Sequence, residues 1–182
     1  MTRAYILAGG RSRRFGSDKA LAERDGRPML RRVADQAMNA GLAVTVVAET
    51  AGKYVELDLP TIADDRPHLG PLGGLATALA DADGEAEIVL LACDQPSVGP
   101  WLERLLDAAS ADAVAFGAEP PALVHPMPAR YATALLPEVR ALLTGAKPPG
   151  PQRLLADLHD AGRLRVLPAP GTLVDVNRPP TQ

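Results

Sequence analysis

The residues whose types and spacing could do chemistry crowd the amino-terminal end. Ile6-Leu7-Ala8-Gly9-Gly10-Arg11-Ser12-Arg13-Arg14-Phe15-Gly16-Ser17-Asp18-Lys19 runs from an apolar stretch straight into two glycines. Glycine lets backbone N–H groups approach a ligand with no Cβ in the way. Three arginines and a lysine follow within nine residues. A segment rich in N–H donors and strongly positive suits a polyphosphate. Two familiar phosphate motifs are excluded by spacing. Between Gly10 and Gly16 stand five residues where a Walker loop has four, and Ser17 follows in place of its lysine. The dinucleotide fingerprint needs a second glycine two residues after the first, and here the next after Gly10 is Gly16.

Carboxylates that could face such a ligand lie further on. Asp94 follows the apolar run Ile88-Val89-Leu90-Leu91-Ala92 and Cys93, and Pro96 delays any helix. A carboxylate at the end of a buried strand is a candidate Mg²⁺ ligand, because magnesium takes one or two carboxylates and fills its shell with phosphate oxygens and water. Asp64 and Asp65 form an acidic pair just ahead of Gly70-Pro71-Leu72-Gly73-Gly74-Leu75, whose glycines suit either close approach to a ligand or close helix packing. Asp175 and Asn177 share one face of an expected strand. Cys93 beside a buried strand reads as core and not as a nucleophile. Of the histidines, His68 stands close enough to the glycine segment to meet a ligand, His125 reads as structural and His159 as a helix-surface residue. No histidine–carboxylate spacing suggests zinc.

Leu7-Ala8-Gly9-Gly10-x-Ser12-x-Arg14-x-Gly16-x-Asp18-Lys19 resembles the signature segment of the nucleotidyltransferases, and among them it is most similar to the molybdenum-cofactor guanylyltransferases. Phe15 replaces the family's usual Met. Cys93-Asp94-x-Pro96 resembles that family's metal motif, and Asp175-Val176-Asn177 its Asn-x-Asn ending. The resemblance implies a nucleotide held by Leu7, Ala8, Gly9, Gly10, Lys19, Asp64 and Asp94, with Asp65 one position away from the family's aspartate. It implies Arg14, Lys19 and Asp94 as the catalytic set, Mg²⁺ on Asp94, and Arg153, Asp175 and Asn177 towards the second substrate. The family's final helix is expected to be rudimentary here. The implied reaction moves GMP from GTP to the terminal phosphate of molybdopterin and releases pyrophosphate. Transient contact with other molybdenum-cofactor biosynthesis proteins or acceptor enzymes is implied as well. Gly9-Gly10 fits guanylyl enzymes, but Ala48 or Glu49 stands where they commonly carry asparagine. A cytidylyl- or sugar-phosphate nucleotidyltransferase therefore stays open, as does a nucleotide-binding module without turnover.

The elements that must position these residues follow from periodicity. Strands are expected at Ala4–Ala8, Ala43–Ala48, Thr61–Ala63, Ile88–Ala92 (central and parallel), Ala113–Phe116, about 122–124, Leu164–Leu167 and Thr172–Val176. Helices are expected to open at Arg27-Pro28-Met29-Leu30 and close at Gly41, to follow the Gly70–Leu75 segment as far as about Asp83, to begin near Pro100, and to run from Arg130 to Leu143 and from Pro151 to His159. Strands alternating with helices predict an α/β fold, a Rossmann-like three-layer α/β/α sandwich on a mostly parallel sheet. The resemblance narrows this to the nucleotide-diphospho-sugar-transferase type. In such sheets ligands lie beyond the carboxyl ends of the strands, where the Gly9 segment, Asp64, Asp94 and Asp175 all fall.

Composition sets the outer bounds. The 182 residues are 47% apolar and carry a net charge of −3, as one expected domain over 1–182. No general affinity for nucleic acid or a membrane surface is expected, and the clustered cations suit an anionic small molecule. A single cysteine excludes an internal disulfide. Only Met1–Arg3 precede the first strand and no apolar run approaches the roughly 20 residues of a membrane span, so the cytoplasm is the expected compartment.

Overall fold

Apolar residues on both faces of each central strand require cover on both sides, and the fold supplies it. A computed structural model describes residues 2–8, 18–118, 124–145 and 147–173. Among these, seven strands form one sheet in the order β5-β4-β1-β6-β8-β7-β9. The strands are β1 (Arg3–Leu7), β4 (Ala43–Ala48), β5 (Thr61–Ala63), β6 (Glu87–Ala92), β7 (Ala113–Gly117), β8 (Val124–Ala132) and β9 (Leu164–Leu167). β2 (Glu23–Arg24) and β3 (Arg27–Pro28) make a separate small hairpin. The helices are α1 (Met29–Asn39), α2 (Gly70–Asp81), α3 (Gly99–Asp107), α4 (Leu136–Leu142) and α5 (Pro151–Asp160). β5, β4, β1 and β6 run parallel, and only β8 opposes its neighbours β6 and β7.

Side chains alternate across the sheet at period two, which sorts the core into two layers. Ala4, Ile6, Val89, Leu91, Val114 and Phe116 face α1 and α3, where the Trp101 ring stands edge-on to Phe116 at 4.8 Å. Tyr5, Ile88, Leu90, Ala113 and Ala115 face α2, α4 and α5. Helix α2 is buried from Leu72 through Leu79 because it lies between the sheet and α4. Leu72, Leu75 and Leu79 form one bulky stripe, and the glycines and alanines between them keep the other faces slim. The α/β/α sandwich and the mostly parallel sheet are thus as expected. No helix among the described residues is long and apolar enough to cross a membrane.

The expectation fails at residues 124–135. A helix was expected from Arg130, but Val124–Ala132 is one strand, and after a 3-10 turn at Thr133–Leu135 the helix occupies only Leu136–Leu142. Two prolines hid the strand. Pro126 and Pro128 cannot donate to a ladder; the register with β7 jumps there, pairing Phe116 with His125 but Ala115 with Ala129. Arg130 hid it too, since a charge mid-strand reads as exposed. Its side chain is instead only 4% exposed: the guanidinium donates to the carbonyls of Leu105 (2.9 Å) and Ala108 (2.8 Å) and pairs with Glu87 at 3.1 Å. It therefore satisfies the carboxyl end of α3, which has orphan acceptors and favours a cation. Thr172 and Leu173 are not in a strand, and the rest of that expected strand lies outside the described residues. The hairpin β2–β3 was not foreseen, although Asp25-Gly26, both at positive φ, is the sequence signal for a tight turn.

Arg130→Ala strands Glu87 and uncovers two carbonyls, so it is expected to lower stability by roughly 3–5 kcal/mol. Urea denaturation checks this; a loss below about 1 kcal/mol would mean that α3 is held without the arginine.

Candidate functional site

Register is what gathers the site. Leu7 pairs with Val47 on one side and with Ala92 on the other, while Ala48 pairs with Ala63. Four parallel strands therefore end level, and the residues that follow them, Ala8, Glu49, Asp64 and Cys93-Asp94, come out along one edge. The short connecting bonds continue past the strands: Ala8 N–H donates to Val47 O (2.9 Å), Asp64 N–H to Ala48 O (2.7 Å) and Cys93 N–H to Leu7 O (3.2 Å).

At this edge Lys19 Nζ donates to Asp94 Oδ2 at 2.7 Å, across 75 positions of sequence. The two side chains are 16% and 24% exposed. Two opposite charges are thus held together at the mouth of the sheet, partly shielded from water, where an ion pair is screened less than on an open surface. Lys19 begins a 3-10 turn (Lys19–Leu21) whose cap is Asp18: Oδ1 accepts from Ala20 N–H at 3.0 Å. Asp18 Oδ2 also receives Lys53 Nζ at 2.9 Å and lies 3.0 Å from the Tyr54 hydroxyl. Sequence reasoning did not single out Lys53 or Tyr54. They lie in a turn-rich crossing between β4 and β5 with no motif to mark them, and the burial of Tyr54 is visible only in the fold.

Leu7 ends β1 with its side chain against α2, and Ala8 is buried with its carbonyl 3.0 Å from the Tyr54 hydroxyl. Gly9, Gly10 and Arg14 lie outside the described residues, as do Asp175 and Asn177. Asp64 is half-buried and its Oδ1 accepts from Arg66 N–H and from the Thr77 hydroxyl, each at 2.9 Å, whereas Asp65 is exposed. Gly73 and Gly74 are accounted for by packing. A Cβ on Gly74 would sit 2.8 Å from Leu7 Cδ2, and one on Gly73 2.8 Å from the Arg66 carbonyl oxygen. Arg153 is exposed on α5 and paired with both oxygens of Asp157, one turn along the same helix, at 2.8 and 3.0 Å. No contact among the described residues links it to Lys19 or Asp94. Ala48 is fully buried and Glu49 exposed, so at the end of β4 the side chain open to solvent is Glu49. His125 is half-buried beside Trp101, ring centres 6.3 Å apart.

No cluster of three or more histidine, cysteine, aspartate or glutamate side chains suited to a metal occurs among the described residues. Asp94 is a lone carboxylate of the sort Mg²⁺ uses when phosphate oxygens complete its shell. Cys93, next to it, packs against the α1–α3 layer. Burial, and secondarily the Asp94 charge, pushes its thiol up to about 12. Such a thiol is protonated at neutral pH, and its packing against the core agrees with its sequence context.

The family described as MobA-like NTP transferase domain matches residues 4–161. A probable molybdenum cofactor guanylyltransferase of Deinococcus radiodurans is 38% identical over 149 residues, covering 79% of this chain and 74% of that one. A molybdenum cofactor guanylyltransferase of Xanthomonas euvesicatoria is 39% identical over 112 residues, 61% of this chain and 57% of its own length. Among solved structures, a protein of Aquifex aeolicus superposes with a TM-score of 0.77 at 26% identity, covering 97% of this chain and 93% of that one.

A thiol held protonated should resist alkylation. At pH 8, iodoacetamide is expected to label folded Cys93 at least about tenfold more slowly than the urea-unfolded chain. The sign of the linkage follows: from pH 9 towards 12 the unfolded chain ionises this thiol while the folded chain does not, so folding stability falls as pH rises. Equal labelling rates, followed by mass spectrometry, would place the sulfur at the surface.

Proposed function

The chain belongs to the MobA-like NTP transferase family and is a nucleotidyltransferase, and from that premise we propose that it transfers GMP from GTP to the terminal phosphate of molybdopterin, releasing pyrophosphate. The observation that supports this most is the contact of Lys19 with Asp94. It places a cation from the Gly-Arg segment and the carboxylate of the second motif at one point, where both could face a triphosphate.

The reaction asks little covalent chemistry of the protein. A phosphate acceptor is already ionised at neutral pH, so no general base has to create the nucleophile. One of its oxygens bonds to the α-phosphorus as the bond to the bridging oxygen breaks, and pyrophosphate carries that electron pair away. Three anionic groups must then be brought together. What limits the rate is positioning and charge neutralisation, the usual terms in phosphoryl transfer.

Lys19 donates to phosphate oxygens in this scheme, and Arg14 of the same cationic segment is assigned the same role. Asp94 fits a Mg²⁺ ion: a carboxylate offers two oxygens, and the contact of Lys19 described above is with Oδ2. Mg²⁺ bound there would offset the charge that builds up on the phosphates. Each of the paired groups is held by the other until a substrate's charges compete for it. The nucleotide is assigned to Leu7, Ala8, Gly9 and Gly10, together with Asp64. Ala8 N–H is taken by the Val47 carbonyl and is therefore not itself a donor to the ligand. Arg153, Asp175 and Asn177 are assigned to the pterin side.

Losing one well-placed electrostatic group typically raises the barrier by roughly 2.7–4 kcal/mol. Lys19→Ala and Asp94→Ala are each expected to slow pyrophosphate release from GTP, Mg²⁺ and molybdopterin about a hundredfold or more. Rates within a few-fold of the parent protein would refute both assignments. With Mg²⁺ present, GTP is expected to raise the melting temperature more than CTP, ATP or UTP does; stabilisation by CTP alone would reassign the base, and tight GTP binding without pyrophosphate release would make the protein a sensor.

A further inference from the structure

Tyr54 stands between β4 and β5 in a stretch with no recognisable motif, yet it is 1% exposed within the layer of α1 and α3. A phenol buried there needs a polar partner, and two are in reach. Its hydroxyl lies 3.0 Å from the Ala8 carbonyl oxygen and 3.0 Å from Asp18 Oδ2. Both are acceptors and a hydroxyl carries one proton, so the two share it. Burial, with the Asp18 charge second, holds the phenol well above its ordinary ionisation range, and the proton stays in place.

The identity of the two partners is what matters. Ala8 continues β1, and Asp18 caps the turn that starts at Lys19. One oxygen atom thus ties the exit of a central strand to the turn that carries the site lysine. The strand end and the turn lie no farther apart than two hydrogen bonds laid end to end. Lys53 steadies the same carboxylate from the solvent side, at 2.9 Å on Oδ2. Asp18 thereby keeps a charged donor whenever the tyrosine proton turns to Ala8.

We propose that Tyr54 is a positioning residue for nucleotidyl transfer: through Asp18 its hydroxyl fixes the turn that aims Lys19 at Asp94, and pins that turn to the end of β1. This rests on the assignment of Lys19 to the nucleotide phosphates. A lysine side chain is long and flexible, so where its ammonium points depends on where its Cα is held. Misplacing a group by about 1 Å can cost on the order of a hundredfold in rate. Without the hydroxyl, Asp18 still caps the turn and still meets Lys53. What is lost is the tie between turn and strand.

Tyr54→Phe keeps the ring and removes only that tie. The expected result is a kcat about tenfold lower with a nucleotide KM changed by no more than about threefold. In a Lys19→Ala background the same substitution is expected to change the rate by no more than about twofold, because the group it positions is gone. Equal losses in both backgrounds, or an unchanged kcat in the single variant, overturn the proposal. A second readout needs no turnover. The sequence holds three lysines, Lys19, Lys53 and Lys147. Competitive acetylation with acetic anhydride, read by mass spectrometry, should show Lys19 becoming about threefold more reactive relative to Lys147 in Tyr54→Phe, as its pairing with Asp94 loosens. Unchanged Lys19 labelling also overturns the proposal. Labelling that shifts in a protein inert towards GTP supports the link from Tyr54 to Lys19 and overturns instead the assignment of the reaction. Should Tyr54→Phe fail to fold, Asp18→Asn, which weakens the acceptor facing the Tyr54 hydroxyl at the other end of the same tie, is expected to raise Lys19 labelling in the same direction, and no change there overturns the proposal.

Discussion

Strand β1 is hydrogen-bonded on both sides by parallel ladders, Leu7 level with Val47 of β4 and with Ala92 of β6. That register is the constraint on which the rest of the site depends. Parallel strands in register all emerge at the same edge, so whatever follows each of them is delivered to one place. A shift of β6 by one residue would turn Val89 and Leu91 away from the α1–α3 layer and move Asp94 along the edge. The apolar alternation that fills the two helical layers and the geometry that brings Lys19 to Asp94 are therefore the same fact seen from two directions. Burial supplies the free energy, and the site inherits its precision from it.

Charge distribution complements this arrangement. A chain with a net charge of −3 would repel a triphosphate if its charges were spread evenly. The cations of the Gly-Arg segment are concentrated in the sequence instead, and at this edge two cations are each matched to a carboxylate. Lys19 meets Asp94, and Lys53 meets Asp18. Paired this way, the charges stay compatible with a partly buried setting, and each group is already oriented when a substrate competes for it. Preorganisation of that kind acts on the barrier, because the groups need not reorganise during the reaction.

Arg130 shows the same principle used for construction. A buried guanidinium is costly unless it is paired, and here two carbonyls at the end of α3 accept from Nη1 and Nη2 while the Glu87 carboxylate neutralises the charge from 3.1 Å, although Nε itself makes no hydrogen bond. The strand that carries it, β8, runs against both neighbours. It joins the parallel half of the sheet to β7 and β9, and the arginine locks α3 over that junction.

Much of this was legible in the sequence by itself. The apolar runs at 4–8, 43–48, 88–92 and 113–116 are strands, and the helical spacing of Leu30, Val33, Ala34 and Ala37 is a buried helix face, because period and burial are local properties of the chain; Met38, expected on the same face, is exposed near the helix end. The Gly-Arg segment and Cys93-Asp94 announced the family for a similar reason: glycines and charges at fixed offsets reflect local backbone needs. Tertiary structure decided what locality cannot reach. Arg130 looked like the start of a helix because its partners lie on another element, 22 to 43 positions away. Gly73 and Gly74 could have faced a ligand or a neighbour, and only the approach of Leu7 and Arg66 settles them as packing. Tyr54 carried no signal at all, since its meaning is its distance from Ala8 and Asp18, and a hydrogen bond across 36 or 46 residues is written in no spacing.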